Sequence, residues 1–96
     1  MKLFLITCEL SKENTGSSYS VLHEKIQSYG DVQHPLKSVW IVSVKEFIDA
    51  NSISANLRTI MGENDYLLVV EIEKNADRQG WLKKSFWDWM DKHALY

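Results

Sequence analysis

The side chains in this sequence that could do chemistry are few: the carboxylates of Glu9 and Asp65, the histidines at 23, 34 and 93, and the single cysteine, Cys8. Two or more converging carboxylates are what hold Mg²⁺ for phosphodiester cleavage. Glu9 ends one apolar run and Asp65 begins another, so each belongs at a strand end. Whether they meet depends on a strand order that one sequence leaves open. A twofold dimer could instead bring two copies of Glu9 together across its axis. The plainer reading is a pair of solvated strand-end carboxylates.

The histidines have neither the i, i+4 spacing nor the cysteine partners of a zinc site. His93 shares the apolar face of a helix, which suits a packed histidine bonded to backbone, and His23 reads as an ordinary surface residue. Cys8 lies in a strand pattern and reads as a small buried hydrophobe. The alternative, a Cys8 nucleophile with His34 as base, has no local signature for an orienting acid. The glycines at 16, 30, 62 and 80 are isolated, so no phosphate-cradling loop is present and a nucleotide-binding enzyme is not expected.

Hydrophobic periodicity assigns the elements that must position these groups. Leu3 to Ile6 is a continuous apolar run, the pattern of a central strand extending from about Lys2 to Leu10. Ser11 to Ser18 has loop chemistry, with Ser17 or Ser18 as the cap of a helix whose stripe is Tyr19, Leu22, Ile26 and Tyr29. Gly30 supplies a left-handed stop. Val32, His34 and Leu36 form an edge strand, where Pro35 is tolerable, and Val39 to Val44 form a central one.

A second helix spans about Asp49 to Met61, capped by Asp49 and ended by Gly62, with Phe47 joining its stripe if it starts sooner. Tyr66 to Ile72 is a fourth strand. A terminal amphipathic helix covers Trp81 to His93. On that helix Trp87 lies about 120° from the centre of the apolar stripe, given ~100° of rotation per residue. It must therefore pack against another segment of its own chain or against a partner subunit, which makes a homodimer plausible.

The order strand, helix, strand, strand, helix, strand is the split βαβ arrangement, so the fold class is α+β, ferredoxin-like βαββαβ with an antiparallel four-stranded sheet and an appended C-terminal helix. Ninety-six residues, 45% hydrophobic and 25% charged, give room for one core. One domain over 1–96 is expected, with its core over about 1–73 and the helical extension over about 81–93. Eleven Lys plus Arg against thirteen Asp plus Glu leave a net charge of −2, which exerts no global pull toward phosphates. Lys12, Lys25, Lys37, Lys83 and Lys84 read as scattered and solvated rather than as a patch. A lone cysteine, no signal-peptide pattern and no apolar run of ~20 residues point to a cytoplasmic protein with no membrane partner.

Several pieces of the chain also match a known family. Ile6-Thr7-Cys8-Glu9-Leu10, the Gly16, Tyr19, Leu22, Ile26, Gly30 helix, the His34, Leu36, Ser38, Trp40 hairpin, the Asn64-Asp65 turn and the Trp-rich tail together resemble small bacterial proteins labelled SinR-family. These are unrelated to the helix-turn-helix repressor of similar name. They look like relatives of CRISPR-associated protein two, the central dimer of the spacer-acquisition complex, and more distantly of virulence-associated protein D.

The resemblance implies a ferredoxin-like protomer that dimerises, in a superfamily that includes metal-dependent nucleases, toxin ribonucleases and a noncatalytic scaffold holding DNA. The family usually ends its first strand in Tyr-Asp, the aspartate being the residue proposed to hold Mg²⁺; this chain has Cys8-Glu9. The extra methylene displaces the carboxylate enough to spoil a preorganised metal site. Two readings follow. The favoured one is a homodimeric interaction or scaffold protein, with nucleic acid as a partner that net charge does not support. The other is a Mg²⁺-dependent endonuclease or toxin-type endoribonuclease using Glu9 from each subunit, with His34 and Ser38 nearby.

Overall fold

The computed structural model describes residues 1–11 and 18–94. Lys12, Gly16 and Ser17, singled out above, lie outside the described residues. Four strands, β1 (Lys2–Glu9), β2 (Asp31–Leu36), β3 (Val39–Val44) and β4 (Tyr66–Ile72), form one sheet in the order β2-β3-β1-β4. Every neighbouring pair is antiparallel. The helices are α1 (Tyr19–Gln27), α2 (Ala50–Arg58) and α3 (Lys84–Ala94).

The apolar run at the start of β1 follows from its central place, since successive side chains go to opposite faces and both faces are covered. Phe4, Ile6 and Cys8 join Trp40, Val42 and Val44 of β3 under Leu22 and Ile26 of α1 and Ile53 and Leu57 of α2. Leu3 and Ile41 point the other way and pack against Phe86, Trp89 and Met90 of α3. The sheet is thus sandwiched between a two-helix layer and a single helix that covers only part of the second face.

Local chemistry sets the element ends. The Ser18 hydroxyl accepts from the Val21 N–H at 3.2 Å and the Asp49 carboxylate from the Ser52 N–H at 2.8 Å, so each satisfies a donor that an α-helix leaves free in its first turn. Gly30 does not act as the left-handed stop expected of it: α1 already ends at Gln27, with Ser28 as its C-cap in right-handed geometry. Its φ of +156° and its closeness to β3 are what require glycine, because a Cβ there would lie 2.1 Å from the Ser43 carbonyl oxygen. The register of β2 against β3 shifts between Gln33 and Leu36, the irregularity that Pro35 imposes on an edge strand.

Three expectations about boundaries need correction. The second helix ends at Arg58 with Thr59 as its right-handed C-cap, short of Met61, so Gly62 does not end it. The terminal helix starts at Lys84, three residues later than Trp81, because Trp81 and Leu82 belong to the irregular segment that crosses from β4. Phe47 does not extend the α2 stripe; it precedes the helix and is exposed.

Candidate functional site

The ends of β1, β3 and β4 meet in an open groove of about 370 Å³ whose lining includes Thr7, Glu9, Tyr19, Ser38 and Tyr66. Sheet pairing builds it. Glu9 stands opposite Tyr66, and the Cys8 N–H donates to the Ser38 carbonyl at 3.1 Å, which holds the hairpin turn against the end of β1. Glu9 and Ser38 are therefore brought to one groove.

His34 is not. It projects toward the two-helix side, its ring stacked on Trp40 with centroids 4.3 Å apart and planes within 11°, and its Nε2 donates to the Lys37 carbonyl at 2.8 Å. Alternation along β1 puts Glu9 on the face opposite Cys8, Ile6 and Phe4, so Glu9 and His34 serve different faces of the sheet.

Asp65 is neither solvated nor a free ligand. It is buried, its two carboxylate oxygens accepting from the backbone N–H groups of Ser11 at 2.6 Å and Gly62 at 2.8 Å. It clasps the exit of β1 to the turn entering β4. The strand order sets Glu9 opposite Tyr66, next in the chain to Asp65, but the Asp65 carboxylate acts on Cys8, which faces away from Glu9; Glu9 is exposed and Asp65 is engaged by backbone donors. Among the described residues no group of three or more His, Cys, Asp or Glu side chains is placed to hold a metal ion.

Cys8 is a buried free thiol, and burial, followed by the Asp65 carboxylate, pushes its pKa up to about 11. A thiol in that state is a poor nucleophile at neutral pH. His34 is committed to Trp40 and Lys37, so the Cys8–His34 pairing is not assembled.

Two histidines differ from their sequence reading. His23 is no ordinary surface residue: its Nδ1 accepts from the Trp40 indole N–H at 3.1 Å, and its ring stacks 5.5 Å from that of His34. His93 is packed, 4.2 Å from the Trp89 ring, but its Nε2 bonds the Asp31 carboxylate at 2.9 Å rather than backbone. This ties the end of α3 to the start of β2. Neither partner has a local sequence signal, since Trp40 is 17 and Asp31 is 62 positions away.

Trp87 is half-buried and has partners in its own chain, Phe86 edge-on at 5.3 Å and the backbone of Gly80, where an added Cβ would lie 3.7 Å from the indole ring. Of the lysines weighed as a patch, Lys25 lies on α1 and Lys83 and Lys84 lie beside or on α3, on opposite sides of the sheet. Lys84 pairs with Asp88 at 2.8 Å. No helix among the described residues is long and apolar enough to cross a membrane.

The β2-β3-β1-β4 antiparallel sheet with α1 and α2 on one face is a ferredoxin-like fold of the α+β class. Among solved structures the chain is similar to Cas2 of Streptococcus pyogenes, crystallised at pH 6.5, with a TM-score of 0.59 and 21% identity over 81% of this chain and 99% of that one. No family model and no curated protein matches the chain. The likeness bears on the CRISPR-associated side of the resemblance, and nothing in the comparisons supports the SinR-family or virulence-associated-protein-D side.

Proposed function

We propose that this chain works as a Cas2-like homodimeric interaction or scaffold module rather than as an enzyme. The observation that carries the reading is the sheet face that α3 leaves open. Along edge strand β4, Tyr66, Leu68 and Val70 are 72%, 57% and 42% exposed at alternate positions, with Leu5 opposite Val70 and Thr7 opposite Leu68. Alternation of this kind normally places polar residues outward on a solvated face. A contiguous apolar strip on a small protein marks a contact surface, and the same strip on a second copy is its simplest match, because a twofold interface uses one patch twice.

The nuclease reading retains Glu9 and Ser38 in one groove, where Glu9 is the one carboxylate among the described lining residues, so converging carboxylates for Mg²⁺ would come from a second copy. It therefore also requires a dimer.

Light scattering over a concentration series, with and without Mg²⁺ and a mixed pool of short RNA and DNA, tests both. A dimer that leaves the pool intact is the expected result. A chain still monomeric at high micromolar concentration overturns the proposal. Metal-dependent cleavage that Glu9→Ala abolishes would replace it with the nuclease reading.

A further inference from the structure

We infer that Trp81 of each subunit inserts into an apolar groove of the other, so that two copies of this chain lock together reciprocally. The inference rests on the dimer reading above and names its central contact.

Trp81 is 100% exposed. Solitary exposed apolar residues are ordinary, but a whole indole in water forgoes the largest apolar burial available to any side chain. Its neighbours are held against the chain: Leu82 packs into the α3 cluster, and a Cβ added at Gly80 would lie 3.7 Å from the Trp87 ring.

Leu82 is also part of the wall of a groove of about 280 Å³ between α3 and the open sheet face. Its other apolar walls include Leu5, Leu36, Val39, Phe86, Trp87 and Met90. Leu36 remains 53% exposed at its rim. The groove meets the β4 strip at Leu5, which stands opposite Val70. Gln79 and Leu82, on either side of Trp81 in the chain, both line it, so knob and groove border one another.

That adjacency selects a second copy as the occupant. In a twofold pair, residue i of one subunit meets j of the other and j meets i, so a chain carrying both halves of a contact on the same face satisfies itself twice and closes. Aromatic side chains bury roughly 150–250 Å² each. Two insertions thus supply a minority of the ~1,200 Å² that a stable interface needs, and the groove walls with the adjoining Tyr66, Leu68 and Val70 strip add to it. The arrangement is a buried aromatic anchor surrounded by weaker apolar contact, which is where binding energy concentrates in protein interfaces.

The test uses two surface variants of the full chain, Trp81→Ala, which lacks the knob, and Leu36→Glu, which places a charge at the groove mouth. Sedimentation should show each homodimer weakened at least tenfold, with circular dichroism unchanged because both positions are exposed on the single chain, and with a melting temperature that no longer rises with protein concentration. An equimolar mixture should then form a mixed pair tighter than either variant alone, since the Trp81 of the Leu36→Glu chain meets the intact groove of the Trp81→Ala chain. A mixed pair no tighter than the variant homodimers overturns the inference. A wild-type dimer that Trp81→Ala leaves unchanged overturns it too, while the dimer reading stands. A monomeric wild type overturns both.

Discussion

At the scale of single residues, most of the side chains that could do chemistry are engaged by partners within the chain. The bond from Trp40 to His23 requires the lone pair on Nδ1, which places the His23 proton on Nε2. Trp40 is fully buried, so removing its acceptor strands a polar group. His23→Ala should therefore lower stability by about 1–3 kcal/mol, measured by urea denaturation, with His23→Gln recovering part of the loss by offering an oxygen. Cys8 gives a pH prediction with a definite sign. Its folded-state pKa of about 11 lies above the ordinary 9.0, so the folded protein holds the proton more tightly than the unfolded chain. The resulting stabilisation is fully present below pH 9 and disappears as pH rises toward 11. Maleimide labelling of the native protein should be slow at pH 7 and reach the rate of the urea-unfolded chain only in strong alkali. Equal rates at pH 7 would contradict a buried thiol.

At the scale of elements, the decisive positions are those where two segments approach closely. Gly30 lets the start of β2 lie against Ser43, and any side chain there meets backbone that cannot yield. Gly30→Ala should destabilise far more than the roughly 1 kcal/mol by which alanine and glycine differ in ordinary helical positions, and its melting curve should show this. Leu57 is completely buried between α2 and the sheet, and Leu57→Ala should cost about 2–5 kcal/mol. The third helix is held differently. Three apolar residues, the His93–Asp31 contact and the Arg78–Asp91 pair at 3.7 Å fasten it. The buried indole N–H of Trp89 finds no acceptor among the described residues.

At the scale of the whole molecule, the asymmetry of the two sheet faces governs what the protein can do. Two helices cover one face, and α3 covers only part of the other. The uncovered part carries Tyr66, Leu68 and Val70 beside Thr7 and Glu9, and in the proposed dimer a second copy would cover it. Among the described residues the candidate groups are dispersed: Glu9 and Ser38 open onto one groove, His34 turns to the two-helix side, and Asp65 holds a turn. Sedimentation of the wild type and the paired Trp81 and Leu36 variants tests this level directly.

Much of the fold was legible in the sequence because it depends on short-range periodicity. Leu3 to Ile6, Val39 to Val44 and Tyr66 to Ile72 each announce a strand, Tyr19, Leu22 and Ile26 announce a helix face, and Asp49 announces a cap, all through interactions within a few residues. The site was legible only in part. Glu9 could be placed at a strand end, but whether Asp65 was available as its partner depended on backbone donors at Ser11 and Gly62, one of them 54 positions away. The same holds for His23 against Trp40, for Trp87 against Gly80, and for the true start of α3. Local periodicity fixes which way a side chain turns relative to its own element. What it then meets is decided by strand order and helix placement, which bring together residues that no local pattern connects.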